Sequence, residues 1–124
     1  MIERRAERRL LCSDLIRVRL EGNRRVELTA NLEDISPSGA CVQVEEPLAV
    51  ASGICLICPG CRYRGTVKYC IHNQIGYFAG ICFDSGQKWS REDYEPAHLL
   101  DLALPDGQEE RLTRASVPQA PSSV

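Results

Sequence analysis

The stretch that decides the fold lies at residues 26–45 and reads VELTANLEDISPSGACVQVE. Apolar and polar residues alternate over 26–33 and again over 40–45, a period of two that is typical of strands with one buried face. Between these ranges, residues 34–39 read DISPSG and are rich in residue types that favour turns. The stretch therefore predicts two half-buried strands with a polar connection between them.

Similar apolar patterns recur on both sides of this stretch. They predict four further strands, at 15–20, about 53–58, about 62–71 and about 75–83. Turn-forming residues separate the strands, namely Gly22-Asn23, Pro59-Gly60 and His72-Asn73-Gln74. Glycines inside the later strands indicate the sharp bends that barrel closure requires: Gly65, Gly76 and Gly80. We therefore expect an all-β fold, a six-stranded antiparallel β-barrel.

The pattern changes after Gly86. Ser90 and Asp93 resemble the start of a helix that Pro96 would interrupt, so the sequence predicts a short helix near 91–95. This helix belongs to a C-terminal appendage at 87–104, whose large apolar residues we expect to pack against the barrel: Trp89, Tyr94, Leu99 and Leu100. Prolines and small polar residues then predict a disordered tail at 105–124.

Length and charge limit what the chain can do. Its 124 residues are enough for one domain with a modest core. Its net charge of -2 argues against a strong general attraction to nucleic acid or to an anionic membrane. No run approaches the roughly 18 apolar residues of a transmembrane helix, and charge begins at Glu3, where a signal peptide would be apolar. We therefore expect a cytoplasmic protein without membrane insertion.

Seven cysteines raise the question of a metal site, because the spacing Cys55-x-x-Cys58-x-x-Cys61, followed by Cys70, superficially suits zinc. Cys55 and Cys58 have opposite parity on one predicted strand, however, and a second well-separated pair is missing. An odd number of cysteines in a reducing compartment also argues against a disulfide framework. We expect no cofactor and no structural zinc, with most of these cysteines serving as small core or surface residues.

The N-terminus forms an arginine-rich arm at residues 1–11, which read MIERRAERRLL. A guanidinium group makes bidentate hydrogen bonds to phosphate and stacks on flat rings, so this composition indicates contacts with a phosphorylated or aromatic ligand. Within the arm, Arg5-x-x-x-Arg9 is preceded by Arg4, and Arg4-x-x-x-Arg8 has the same spacing.

Together with Asp34-x-Ser36-x-x-Gly39, the arm resembles the PilZ domain family, whose signature is Arg-x-x-x-Arg followed by Asp/Asn-x-Ser-x-x-Gly. The later segments GTV at 65–67 and GICF at 80–83 resemble the same family more weakly. We place the corresponding barrel domain at 3–86. The resemblance implies a six-stranded barrel with a C-terminal helix, and as its ligand the bacterial second messenger cyclic di-GMP.

The resemblance also implies roles for individual residues. Arg5 and Arg9 would bind phosphate or the acceptor edge of guanine, and Asp34 would accept hydrogen bonds from guanine N–H groups. The arginine pair is taken as Arg5 and Arg9 because the spacing to the first strand fits the family better. The full set of expected ligand contacts is Arg4, Arg5, Arg9, Asp34, Ser36 and Gly39, with Arg8, Ser38 and Tyr69 as weaker candidates.

No catalytic site is legible, because neither His72 nor His98 has a nucleophile or an orienting group beside it in the sequence. The leading hypothesis is a non-enzymatic nucleotide-binding receptor that signals through an unidentified downstream protein. One alternative is a PilZ-fold adaptor that binds proteins and no nucleotide. Another is a nucleic-acid-binding barrel, which the net charge and the lack of stacking aromatics argue against.

Overall fold

The computed structural model describes residues 8–22 and 26–100, which form a closed barrel of six antiparallel strands. The strands are β1 (Leu10–Leu20), β2 (Glu27–Ser36), β3 (Gly39–Val44), β4 (Gly53–Cys58), β5 (Cys61–Asn73) and β6 (Gly76–Phe83). Their order around the ring is β1-β2-β3-β6-β5-β4, and β4 closes the ring by pairing with β1. The all-β, six-stranded antiparallel barrel predicted from the sequence is confirmed.

Alternation along the strands builds the core, because every second side chain points inward. The side chains with the least exposure are aliphatic and come from all six strands, among them Val18, Leu32, Val42, Leu56, Val67 and Ala79. Burying a side chain of this kind contributes about 1.5–3 kcal/mol before the loss of chain entropy is counted. A core with few aromatic residues follows from the composition, in which aromatics make up 6%.

The strand ends differ from prediction most clearly in three places. β2 runs to Ser36, so that only residues 37–38 connect it to β3. β1 begins at Leu10, so it extends into the segment that the sequence assigned to the arm. β5 continues to Asn73, and the tight turn lies at residues 74–75, where the Ile75 N–H donates to Oδ1 of Asn73 at 2.9 Å. Gly22 has the positive φ of 87° that its predicted turn needs, while Asn23 lies outside the described residues.

The C-terminal segment completes one side of the barrel. β4 pairs with β1 only from Arg17 to Leu20, and the free edge of β1 nearer the N-terminus bonds to the segment instead. The Ser13 N–H donates to the Ala97 carbonyl at 3.0 Å, and the Leu100 N–H donates to the Leu11 carbonyl at 2.7 Å. Three of the four large apolar residues predicted to pack on the barrel do so: Trp89 and Tyr94 are buried, and Leu99 is partly buried against the core. The fourth, Leu100, is exposed, and only its backbone bonds to β1.

The helix predicted near 91–95 is replaced by a single turn at 91–93, and the structure has no helix within 8–22 and 26–100. The Tyr94 N–H donates to the Ser90 carbonyl at 3.2 Å, as in one helical turn, but the next backbone groups bond elsewhere: Nε1 of Trp89 donates to the Tyr94 carbonyl at 2.7 Å, and the Ala97 N–H donates to Asp14. Pro96 has no N–H to offer. Residues 101–104 of the predicted appendage and the predicted tail at 105–124 lie outside the described residues. Within the part of the chain described, no helix has the length and apolar character needed to cross a membrane.

Candidate functional site

A row of outward-facing residues crosses four neighbouring strands at one end of the barrel. Asp34 on β2 is paired in register with Cys41 on β3, Cys41 with Gly80 on β6, and Gly80 with Tyr69 on β5. Register shifts interrupt β1, β2 and β5 right beside this row, at 11–14, 32–34 and 67–69. Bulges of this kind re-aim side chains and are common next to binding sites.

Arg9 meets Asp34 at one end of the row. Its Nη2 atom lies 2.7 Å from Oδ2 of Asp34, across 25 residues of sequence. The Asp34 carboxylate side chain is 12% exposed, whereas the Arg9 side chain, just before β1, is 64% exposed. The hydrogen bond that Arg9 donates to Asp34, together with the negative charge of Asp34, raises the pKa of Arg9 further above its usual value. The positive charge of Arg9 therefore lies beside the nearly buried carboxylate of Asp34.

The DISPSG connection is rigidly attached to its surroundings. The Ser36 hydroxyl, which is nearly buried, donates to the Gly39 carbonyl at 3.4 Å. The Phe83 N–H donates to the Ser38 carbonyl at 2.8 Å, and the Trp89 N–H donates to the Pro37 carbonyl at 3.0 Å. Hydrogen bonds thus join the DISPSG segment to the end of β6 and to the C-terminal segment.

Glycine is required at Gly80 in the row and at Gly39 beside it, because a ring or a backbone approaches closely at each. A Cβ on Gly39 would lie 2.5 Å from the Ile81 carbonyl oxygen on β6. A Cβ on Gly80 would overlap the ring of Tyr69, which lies across this position from β5. The Tyr69 ring is 39% exposed, so one edge of it is open to solvent beside the cleft. Burial raises the pKa of Tyr69, so its hydroxyl stays protonated at neutral pH.

These groups surround an open cleft of about 190 Å³, the motif cleft. Six of the nine residues that the sequence nominated line it: Arg9, Asp34, Ser36, Ser38, Gly39 and Tyr69. Arg8 is exposed and does not line the cleft, and Arg4 and Arg5 lie outside the described residues. Acceptors and donors therefore converge here, next to an aromatic face.

Sequence reasoning missed several lining residues, of which Lys68 adds a second cation to the cleft. Lys68 is the extra residue at the register shift between Val67 and Tyr69, so its position depends on pairing with β6. The sequence predicts a bend at Gly80, but it does not indicate that the ring of Tyr69 lies across this residue. Cys82 also lines the cleft, and its alternation with Ile81 on β6 was the one signal that could have placed it on the outer face.

The cysteines are dispersed around the barrel. Cys58 belongs to the core, whereas Cys55 lines an outer cleft, as their opposite parity predicted. Cys61 is paired in register with Cys58 across the β4–β5 hairpin. Burial raises the pKa of Cys58 to about 12, which keeps it a neutral thiol. No group of three or more His, Cys, Asp or Glu side chains among residues 8–22 and 26–100 is arranged to hold a metal ion.

Comparison with models of known protein families and with curated proteins finds no match for this chain.

Proposed function

We propose that this chain is a non-enzymatic receptor for cyclic di-GMP, a PilZ-like domain of the bacterial cytoplasm that passes its signal to a protein partner. The single observation that carries the proposal is the meeting of Arg9 and Asp34 in one cleft with Ser36, Ser38 and Gly39. Arg9, the described arginine of the first motif, thus shares one surface with the second motif.

The chemistry of the motif cleft suits the two kinds of group that the ligand offers. Asp34 is an acceptor for the N1–H and N2–H donors of guanine, and Arg9 is a donor for phosphate oxygens or for the guanine O6/N7 edge. Lys68 adds positive charge beside the same cleft. Tyr69 presents a partly exposed ring on which a purine can stack.

The arm would complete the site. At about 190 Å³ the motif cleft is smaller than the roughly 300–1,000 Å³ of pockets that enclose a complete ligand. It therefore suits one guanine and a neighbouring phosphate, and the remaining phosphate and guanine need further contacts. Arg4 and Arg5 precede Arg9 in the sequence, and we assign these contacts to them. Closure of the arm over the ligand then changes the surface that a partner meets.

The Arg9–Asp34 ion pair occupies part of the Asp34 carboxylate that the ligand would use. Asp34 accepts from Arg9 before ligand arrives, so guanine must either share the carboxylate or displace the guanidinium. Sharing is compatible with the chemistry, because an ionised carboxylate has about four lone-pair positions. In that case Arg9 stays in place and orients Asp34 toward the guanine.

Calorimetric titration with cyclic di-GMP tests the proposal. We expect micromolar or tighter binding by the wild type, and a loss of roughly tenfold or more in Arg5→Ala, Arg9→Ala and Asp34→Ala. Arg91→Ala is the matched control, because it removes an exposed arginine that pairs with Glu95 and does not line the motif cleft. GMP at the same concentration should bind much more weakly. No heat and no thermal shift with the wild type would contradict the proposal and favour the adaptor that binds no nucleotide.

A further inference from the structure

A second polar surface lies on the other side of the barrel from the motif cleft. In the ring, β4 is three strands away from β3 in either direction. Two outer rows cross β1, β4 and β5 here, and each has an arginine at both ends. The rows are Arg17–Ile57–Arg62 and Arg19–Cys55–Arg64, and we call them together the arginine face.

Positive charge on the arginine face exceeds the negative charge beside it. Glu27 is shared: Arg19 Nη2 lies 2.8 Å from one of its carboxylate oxygens, and Arg17 Nε lies 3.2 Å from the other. Glu21 lies 3.4 Å from Nε of Arg64. For Arg62, no carboxylate in the described ranges lies within ion-pair distance. Two carboxylates therefore face four guanidinium groups.

The pKa of Glu27 reflects the positive charge of the arginine face. A hydrogen bond from Arg19 lowers the pKa of Glu27, and the charges of Arg17 and Arg62 lower it further. Three guanidinium groups thus favour one carboxylate at the same place. The face already has the geometry of a carboxylate receptor, and Arg62 has no ion-pair partner among residues 8–22 and 26–100.

The arginine face also contains a concave part. A cleft of about 400 Å³, larger than the motif cleft, is lined by three of the four arginines, by Cys55 and by Gln87. The Gln87 side chain accepts from the Arg64 backbone N–H at 2.7 Å, which fixes one wall. Ile57 is partly exposed and gives the face an apolar centre. An apolar centre bordered by arginines is typical of protein interfaces.

We propose that the arginine face is a docking surface for an acidic segment of another protein, with Arg62, which forms no ion pair with a described carboxylate, as its principal cation. The occupant follows from size and charge. Neighbouring strands are about 4.8 Å apart, and two residues along a strand span roughly 7 Å, so the four arginines cover roughly 7 by 10 Å. A single small anion would leave the partly exposed Ile57 uncovered, whereas an extended segment with two or more carboxylates can pair with the arginines and cover Ile57 as well.

Nucleic acid fits this surface less well. None of the described residues that form the face is aromatic, so bases would have no ring on which to stack. Glu21 and Glu27 would stand beside any phosphate backbone laid along it. A protein segment can avoid both carboxylates and bring an apolar side chain to Ile57.

This docking surface goes beyond the ligand site and does not depend on it, because the two surfaces share no residue. The test uses fluorescence anisotropy of a labelled peptide of alternating glutamate and alanine, titrated with the full chain. A glutamine-for-glutamate peptide serves as the ligand control. Inorganic triphosphate and a short DNA duplex are added as competitors.

We expect the glutamate peptide to bind, to weaken with added salt, and to bind roughly tenfold more weakly to Arg62→Ser and to Arg17→Ser/Arg62→Ser. Arg91→Ser and Asp34→Ala should bind it as the wild type does, and their melting curves show whether each variant is folded. Failure of the glutamate peptide to bind would overturn the inference. So would equal binding of the glutamine peptide, or stronger binding of triphosphate or DNA. Because Asp34→Ala affects only the motif cleft, failure here is distinguishable from failure of the receptor proposal.

Discussion

The guanidinium of Arg9 and the carboxylate of Asp34 lie 2.7 Å apart, although 25 residues separate them in the sequence. The two partners differ in exposure, at 64% for the Arg9 side chain and 12% for that of Asp34. Loss of either side chain therefore has unequal consequences. Without Arg9 a nearly buried carboxylate is left with one fewer donor, whereas without Asp34 an exposed guanidinium returns to water.

A double-mutant cycle measures this asymmetry. We expect Arg9→Ala to lower the free energy of unfolding by about 1–2 kcal/mol, because an underpaired buried charge is costly. The coupling energy between Arg9→Ala and Asp34→Ala should be about 1 kcal/mol, between the values for exposed and for buried pairs. Urea denaturation of the four proteins without ligand gives both numbers. A coupling energy of zero would mean that the contact does not persist in solution.

The two close-approach glycines should respond differently to alanine. At Gly39 the obstacle is the Ile81 carbonyl, part of the β3–β6 ladder, which cannot withdraw without breaking the strand pairing. At Gly80 the obstacle is the ring of Tyr69, a side chain 39% exposed that can rotate toward solvent. We expect Gly39→Ala to cost about 2 kcal/mol or more in the free energy of unfolding, and Gly80→Ala clearly less.

Ligand binding separates the two glycine variants further. Displacement of Tyr69 by Gly80→Ala removes the aromatic wall of the motif cleft, so cyclic di-GMP affinity should fall although the barrel remains folded. Tyr69→Ala provides the matched comparison, since it removes the ring without the added methyl group. Equal destabilisation by Gly39→Ala and Gly80→Ala would contradict the assignment of these obstacles.

Tyr94 joins the C-terminal segment to β1. Its hydroxyl donates to Oδ2 of Asp14 at 2.8 Å, and the same oxygen accepts the Ala97 N–H at 3.1 Å. Tyr94→Phe keeps the buried ring and removes one donor, and we expect a loss of about 1 kcal/mol in the free energy of unfolding. Asp14→Ala should cost more, because it leaves both the Tyr94 hydroxyl and the Ala97 N–H unpaired. Chemical denaturation checks the order; a larger effect of Tyr94→Phe would contradict it.

Much of the barrel could be predicted because its signal is local. The alternation over 26–33 requires one buried face, and the core side chains Ala30 and Leu32 lie where that alternation places them. The DISPSG segment could be assigned to the candidate site by its resemblance to a known signature. Asp34, Ser36 and Gly39 then line one cleft, because a short connection keeps them together on neighbouring strands.

Features that depend on distant partners could not be predicted. Lys68 reaches the motif cleft through a bulge that exists only in the pairing of β5 with β6. Asp14 anchors Tyr94 across 80 residues, and nothing around Asp14 in the sequence indicates that role. The turn that begins at Ser90 does not continue as a helix, since Pro96 has no N–H and the Ala97 N–H bonds to Asp14. A local capping pattern at Ser90 was outweighed by contacts made elsewhere in the barrel.

Glu27 allows a pH test of the arginine face. Because the hydrogen bond from Arg19 and the nearby charges lower its pKa from the usual value of 4.5, folding favours the ionised carboxylate. The resulting stabilisation is fully present above that usual value and is lost as the pH falls through the lowered pKa of the folded state. We therefore expect the wild type to be more stable than Glu27→Gln near neutral pH, and the difference to shrink as the solution becomes more acidic than pH 4.5.

Carbon-detected NMR titration of the Glu27 carboxyl group gives the pKa directly, and Arg19→Ala supplies the control. We expect a midpoint below 4.5 in the wild type and a return toward that value in the variant, because Arg19 makes the strongest contact. Arg62→Ser should raise the midpoint by a smaller amount, since Arg62 acts only through its charge. A wild-type midpoint at or above 4.5 would show that the guanidinium groups do not converge on Glu27 in solution. It would contradict the description of the arginine face as a cluster of positive charge.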